Sequence, residues 1–106
     1  MSILLINNIE EFNNQLKSND KVIVIFSASF CKPCRDIYAF MQEKADTYTN
    51  IKFIKVDIEE GQEISENYGI QSIPHFKFFN TELEIISFTG ALKQNITESI
   101  DKLNKI

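Results

Sequence analysis

The two cysteines of the chain, Cys31 and Cys34, stand close together and are separated only by Lys32 and Pro33. Two thiols at this spacing can close into one disulfide and reopen, so the pair can carry two electrons without a bound cofactor. An apolar, β-branched run at residues 22–26 precedes the pair, and a helical pattern follows it. The pair is therefore predicted at the N-terminus of a helix, where free N–H groups and partial positive charge favour a thiolate.

A metal site is the alternative for a close cysteine pair. Two sulfurs supply only two of the four ligands that zinc takes, and the single histidine, His75, cannot complete the set. We therefore expect no metal and no bound cofactor on one chain.

Length, charge and composition restrict the class of protein. The 106 residues predict a single domain over 1–106, and the formal charge of −4 argues against nucleic acid as a partner. No apolar stretch is long enough to cross a membrane, and neither a signal peptide nor a retention signal is expected at the ends. We expect a cytoplasmic monomer, in which a close cysteine pair is catalytic rather than structural.

Hydrophobic periodicity predicts nine elements around the cysteines. Residues 22–28 are almost continuously apolar, which is typical of a strand buried on both faces. A hairpin turn is expected at residues 80–81, although it lacks the usual glycine. The other strands are predicted at 2–6, 51–57, 75–79 and 84–88, and the helices at 9–16, about 33–48, 61–67 and 91–105. This order indicates an α/β fold, with a central mixed five-stranded sheet flanked by four helices on both faces.

Several separated segments resemble the thioredoxin family, and the resemblance covers essentially the whole chain. They are Phe-Ser-Ala-Ser-Phe-Cys-Lys-Pro-Cys at residues 26–34, Phe-Ile-Lys-Val-Asp at 53–57, Tyr-Gly-Ile-Gln-Ser-Ile-Pro at 68–74, and Gly90 with Ala91. Ser27 and the strand around Lys55 are more similar to the eukaryotic, cytosolic branch than to the bacterial one. The resemblance implies the thioredoxin fold and dithiol–disulfide exchange.

In that reaction Cys31 attacks a substrate disulfide and Cys34 resolves the mixed disulfide. We expect Cys31 to be exposed and Cys34 to lie one turn inward. The charge of Lys32 should stabilise the Cys31 thiolate and make the protein a slightly weaker reductant than a family member with glycine at this position.

The resemblance also implies a cis peptide bond between Ile73 and Pro74, next to the cysteines. The Ile73 backbone would then bind an extended substrate segment by β-augmentation, and Pro74 would keep a metal from being captured there. Phe30 takes the place of the family's usual tryptophan. The implied docking surface consists of Phe30, Lys32, Pro33, Ile73, Pro74, Thr89, Gly90 and Ala91.

The chain departs from the family next to the resolving cysteine. Ile25, six residues before Cys31, stands where the family has a buried aspartate that moves protons for that cysteine. Lys55 matches the partner of that acid, and we expect Lys55, the two cysteines and Pro74 to be catalytic. Lys55 would either help Cys34 ionise or extend to water, and His75 would be an alternative proton carrier.

The predicted function is a protein disulfide reductase recharged from NADPH by a thioredoxin reductase, with peroxiredoxins, ribonucleotide reductase or methionine sulfoxide reductases as clients. One alternative is an oxidase or isomerase of the protein-disulfide-isomerase type, which Lys32 favours and the missing signals oppose. The other is a non-catalytic binding module, which the loss of the acid at Ile25 favours and both cysteines, Pro33 and Pro74 oppose.

Overall fold

The computed structural model describes residues 3–106, and the predicted order of strands and helices is confirmed there. Each element begins and ends within two residues of its predicted bounds; Ser2, the predicted start of the first strand, lies outside the described residues. The strands are β1 (Ile3–Leu5), β2 (Lys21–Ser27), β3 (Lys52–Asp57), β4 (His75–Asn80) and β5 (Leu83–Thr89), and the helices are α1 (Ile9–Ser18), α2 (Lys32–Thr47), α3 (Gln62–Asn67) and α4 (Lys93–Asn104).

The strands form one mixed sheet in the order β1-β3-β2-β4-β5, as the α/β prediction requires. Strand β3 is parallel to both β1 and β2, whereas β4 is antiparallel to β2 and to β5. Strand β2 therefore lies at the centre of the sheet, and the cysteine segment leaves its C-terminal end.

Strand β2 is buried on both faces, which explains its unbroken apolar run. Ile23 and Ile25 pack in the core layer that contains α2 and α4. Val24 and Phe26 pack in the opposite layer, with residues of α1 and α3. Because successive side chains of a strand alternate between faces, both layers of helices are anchored on this one strand.

The hairpin between β4 and β5 differs from its prediction. Asn80 still belongs to β4 and pairs with Leu83, so the turn consists of Thr81 and Glu82 rather than of residues 80–81. Thr81 and Glu82 have φ angles of 49° and 68°, the left-handed backbone that a two-residue turn between twisted strands requires. Glycine or asparagine usually occupies such positions, and because neither is present at 81–82 the sequence placed the turn one residue early.

The pairing of β4 with β5 shifts by one residue between Phe78 and Phe79. After this irregularity His75, the first residue of β4, lies opposite Thr89, the last residue of β5. The two strand ends meet next to the loop that precedes β4. Within residues 3–106, no helix combines the length and the apolar character needed to span a membrane.

Candidate redox site

Cys31 and Cys34 are joined by a disulfide at the N-terminus of α2, with their Cα atoms 5.3 Å apart. Cys31 is the N-cap residue, and the backbone N–H of Cys34 donates to its Sγ at 3.2 Å. Pro33 lies in the first turn, where a missing N–H removes no helical hydrogen bond. The predicted position at a helix N-terminus is confirmed, and it provides a donor and a positive dipole end for a thiolate at Cys31.

The expected exposure of Cys31 is wrong for this oxidised form. Cys31 is only 8% exposed, compared with 4% for Cys34. The two cysteines share a small apolar cluster with Ala28, against which Ile58 and Ile73 pack from later loops. Little of Cys31 is accessible to a substrate in this form, so the surfaces around Cys31 must orient the substrate.

Lys32 does not direct an unpaired charge towards Cys31. Its Nζ lies 2.7 Å from Oδ2 of Asp36, one helical turn further on, and both side chains are strongly exposed. The carboxylate offsets the positive charge on which the predicted effect of Lys32 depends. Asp36 is absent from the predicted site, although its spacing of four residues from Lys32 would have indicated the pair.

Ile25 and Lys55 are direct partners in the pairing of β2 with β3. Ile25 is 3% exposed, so an aliphatic side chain fills the place where the resemblance implied a buried acid. The half-buried Lys55 extends towards α2 and places its Nζ 4.8 Å from the centroid of the Tyr38 ring. This cation–π contact holds the ammonium near α2 without a carboxylate.

A cavity of about 310 Å³ opens next to Cys34. Arg35 and Lys55 contribute two positive charges to its wall, and Nη1 of Arg35 donates to the backbone oxygen of Ser29 at 2.6 Å. The sequence did not single out Arg35 or Tyr38, although Tyr38 stands four residues after Cys34 on the same helix face. The residues that line the cavity include no carboxylate; they are Ser27, Ala28, Ser29, Cys34, Arg35, Tyr38 and Lys55.

The peptide bond between Ile73 and Pro74 is cis, as the resemblance implied. Ile73 packs against the cluster that contains the two cysteines, and the N–H of Gly90 donates to the backbone oxygen of Pro74 at 2.9 Å. Thr89 lies directly before Gly90 and opposite His75. The structure thus brings Ile73, Pro74, Thr89 and Gly90 together on one side of the disulfide.

The remaining residues of the predicted docking surface lie around the start of α2. Lys32, Pro33 and Ala91 line a second cavity of about 360 Å³, which joins the loop before α4 to the first turn of α2. Phe30 is 65% exposed, directly before Cys31. Within residues 3–106, no cluster of three or more His, Cys, Asp and Glu side chains could hold a metal ion.

His75 lies on the face of the sheet opposite to the one that α2 covers. Its ring packs edge-on against Phe26, in the layer of α1 and α3, whereas α2 covers the other face of the sheet. Burial, followed by the charge of Lys77, lowers the pKa of His75, and Glu84 acts in the opposite direction. This geometry gives no support to a proton transfer between His75 and Cys34.

Comparisons with known proteins agree with this geometry. A sequence model of the family described as Thioredoxin matches residues 3–102. Thioredoxin 1 of Plasmodium falciparum is 37% identical over 92 residues, which cover 87% of this chain and 88% of that protein. A solved structure of Plasmodium falciparum thioredoxin has a TM-score of 0.90 at 34% identity, over 93% of this chain and 97% of its own.

A third similar chain comes from a structural study of the thiol resolving mechanism in a yeast mitochondrial 1-Cys peroxiredoxin via glutathione and thioredoxin systems. It has a TM-score of 0.91 at 26% identity and covers 96% of both chains. The similarity in each case extends over nearly the whole chain rather than over the cysteine motif alone.

Proposed function

The chain belongs to the thioredoxin family and is a thiol–disulfide oxidoreductase, and from this premise we propose that it reduces protein disulfides in the cytosol. We take residues 1–106 as one functional domain. The observation that carries the proposal is the Cys31–Cys34 disulfide at the start of α2, where the N–H of Cys34 donates to the Cys31 sulfur. This donor and the helix dipole favour a Cys31 thiolate in the reduced protein.

Reduction takes place in two exchange steps. The Cys31 thiolate attacks one sulfur of the substrate disulfide, so a bond between the two proteins forms while the substrate S–S bond breaks and releases one thiolate. The Cys34 thiolate then attacks the Cys31 sulfur, which closes the Cys31–Cys34 disulfide and releases the second substrate thiolate. The substrate gains two electrons, and the chain is left in the oxidised form seen in the structure.

Substrate docking is assigned to the surface around Cys31. The backbone of Ile73 would pair with an extended segment next to the substrate cysteine, beside the hydrogen bond from the N–H of Gly90 to the backbone oxygen of Pro74. The apolar Phe30 and the cavity beside Lys32, Pro33 and Ala91 would contact the flanking residues. Lys55 and Arg35 are assigned to the resolving side of the site, because they line the cavity beside Cys34.

The reaction of the family needs no bound cofactor, so the electrons for each turnover come from an external reductant. We assign this role to a thioredoxin reductase that uses NADPH, and we expect the chain to act as a monomer. Peroxiredoxins, ribonucleotide reductase and methionine sulfoxide reductases are the proposed clients. The similarity to a chain from the yeast peroxiredoxin study supports the first of these.

The two alternatives lose part of their basis. A protein-disulfide-isomerase type of activity was favoured by the charge of Lys32, which Asp36 offsets at 2.7 Å. A non-catalytic binding module does not require two cysteines in bonding position at a helix N-terminus, and both are present.

Insulin reduction tests the proposal when it is measured once with dithiothreitol and once with NADPH and a thioredoxin reductase. We expect activity in both assays, and none for a variant in which both cysteines are serine. Activity with dithiothreitol alone would overturn the assigned electron donor. No activity in either assay would overturn the reductase and favour the binding module.

A further inference from the structure

A row of polar side chains connects the β4–β5 hairpin to the docking surface. The Nζ of Lys77 donates to Oε2 of Glu84 at 3.0 Å and to Oγ of Ser87 at 3.2 Å. Oγ of Ser87 lies 2.8 Å from Nε2 of His75, and Nδ1 of His75 lies 2.8 Å from Oγ1 of Thr89. We call these five residues the hairpin network. It runs from a buried lysine to the last residue of β5.

The chemistry of the donors fixes the direction of the hydrogen bond from Lys77, and the tautomer of His75 sets the direction of the other two. An ammonium can only donate, so Ser87 accepts from Lys77 and has its own hydrogen left to donate to Nε2 of His75. When Ser87 donates to Nε2, the ring proton resides on Nδ1 and is donated to Thr89, and this is the tautomer that the inference below requires. This arrangement gives each of these hydrogens an acceptor, which is the criterion by which a histidine tautomer is assigned. In this tautomer Oγ1 of Thr89 accepts from His75, so the hydroxyl hydrogen of Thr89 can donate to a group outside the network.

Lys77, at the buried end of the network, stabilises this direction of the hydrogen bonds. Lys77 is only 7% exposed, and a buried ammonium requires partners such as the Glu84 carboxylate and the Ser87 hydroxyl. The charged groups that act on His75 are Lys77 from its own strand β4 and Glu84 from β5. The titratable Tyr68, at the end of α3, lies against Lys77 and Phe26. Strand β2 contributes the uncharged ring of Phe26. The nearby ammonium disfavours a second positive charge on the imidazole.

The exposed end of the network lies next to the docking edge. His75 directly follows Pro74, and Thr89 directly precedes Gly90. Two consecutive links therefore join the strand ends: the side-chain bond from His75 to Thr89 and the backbone bond from Gly90 to Pro74. Gly90 has a φ of +109°, and no other atom would lie within 4 Å of a Cβ there. The position of this edge thus depends on the two links rather than on side-chain packing at Gly90.

We infer that His75 is a positioning residue for protein substrates, which holds Thr89 and the end of β5 beside Pro74 so that the Thr89 hydroxyl can donate to a backbone carbonyl of the docked peptide. This inference rests on the proposed function. It also predicts a difference between substrates. A protein disulfide uses the positioned edge, whereas a small disulfide without a peptide backbone needs only the Cys31 sulfur.

The test compares the wild-type protein with its His75→Ala variant, both in the reduced form. The rate of insulin reduction is measured at increasing insulin concentration, and cystamine serves as the small disulfide. We expect the KM for insulin to rise roughly three- to tenfold, as for the loss of one hydrogen bond, with kcat and the cystamine rate unchanged. His75→Asn should restore the KM to within about twofold, because its amide nitrogen can donate to Thr89. Should His75→Ala fail to fold, Thr89→Val removes the same bond and should raise the KM equally.

Leu83→Ala is the matched control, since Leu83 is exposed and pairs with Asn80 at the opposite end of the same hairpin. The KM of the Leu83→Ala variant for insulin should equal that of the wild type. Nitrogen NMR of the single histidine should place the ring proton on Nδ1, and Ser87→Ala should move part of the population to Nε2. An unchanged KM in His75→Ala, an equal rise in Leu83→Ala, or a wild-type proton on Nε2 would overturn the inference alone. A wild-type protein that reduces no insulin would overturn the proposed function as well.

Discussion

Ile25 faces Lys55 across the pairing of β2 with β3, so the lysine has an aliphatic neighbour at the place where the family has an acid. The ammonium of Lys55 lies over the Tyr38 ring instead, and it shares a cavity with Arg35 and Cys34. The surroundings of the resolving cysteine thus contain positive charge and no lining carboxylate. Cys34 is expected to lose its proton to water in this cavity, with the two cations stabilising the thiolate.

Replacing Ile25 with aspartate is expected to speed the resolving step. The new carboxylate would pair with Lys55 and accept the proton of Cys34. Because Ile25 is buried, the change should also lower the free energy of unfolding by about 1–3 kcal/mol. Rapid-mixing measurements of mixed-disulfide resolution and urea unfolding check the two effects. Ile25→Asn is the matched control, since it buries a polar group that cannot accept the proton at neutral pH; an equal acceleration there would contradict the prediction.

Replacing Cys34 with serine is expected to trap the substrate. The Cys31 thiolate can still attack a disulfide, but the serine hydroxyl cannot resolve the product, so a covalent complex with an insulin chain should accumulate. Mass spectrometry under non-reducing conditions detects the complex. Cys31→Ser should give almost none, because Cys34 is 4% exposed. Equal trapping by the two variants would show that the attacking and resolving roles are wrongly assigned.

Asp36 is expected to limit the effect of Lys32 on Cys31. Removing the carboxylate with Asp36→Asn leaves the ammonium unpaired near the start of α2, so a larger fraction of Cys31 should be thiolate. Alkylation of the reduced protein by iodoacetamide at mildly acid pH should then be roughly twice as fast. Asp101→Asn provides the control, because it breaks a similarly exposed ion pair at the far end of α4. In that pair Nζ of Lys105 lies 3.4 Å from Oδ2 of Asp101. A rate increase in both variants would point to overall charge rather than to Lys32.

The fold and the position of the cysteines were predictable because they depend on local patterns. The apolar run of β2 and the helical spacing after Cys34 specify a buried strand followed by a helix. The burial of Cys31 was not predictable, since Ile58 and Ile73 reach it from loops that are distant in the sequence. The sequence also placed the β4–β5 turn one residue early and gave no sign of the shift at Phe78. Both features set the register that brings His75 to Thr89, and a slip of one residue would turn side chains to the other face.

The lowered pKa of His75 predicts a loss of stability in acid. An unperturbed histidine titrates near 6.5, and the folded-state pKa of His75 lies below this value. Between the two values the unfolded chain binds more protons than the folded chain, so the free energy of unfolding rises with pH through this window. The stability of the wild type relative to His75→Asn should therefore be greater at about pH 7.5 than at about pH 5. Urea unfolding of both proteins checks this, and a difference independent of pH would contradict it.

Glu84 is expected to stabilise the protein only while Lys77 is present. Glu84→Gln leaves a buried ammonium without its carboxylate, and because Glu84 is partly exposed the cost should be about 1–2 kcal/mol. Lys77→Met keeps the volume without the charge, and in that background Glu84→Gln should cost less than about 0.5 kcal/mol. Unfolding of the wild type, both single variants and the double variant forms a complete cycle. Additive costs would mean that the ion pair contributes nothing.

The exposure of Phe30 has an optical consequence. The chain contains no tryptophan, and this ring stands in solvent directly before Cys31. The natural protein therefore has no indole whose fluorescence could follow oxidation and reduction. Phe30→Trp would place the single indole of the molecule within quenching range of the disulfide, so that its emission would brighten on reduction and report each turnover in real time.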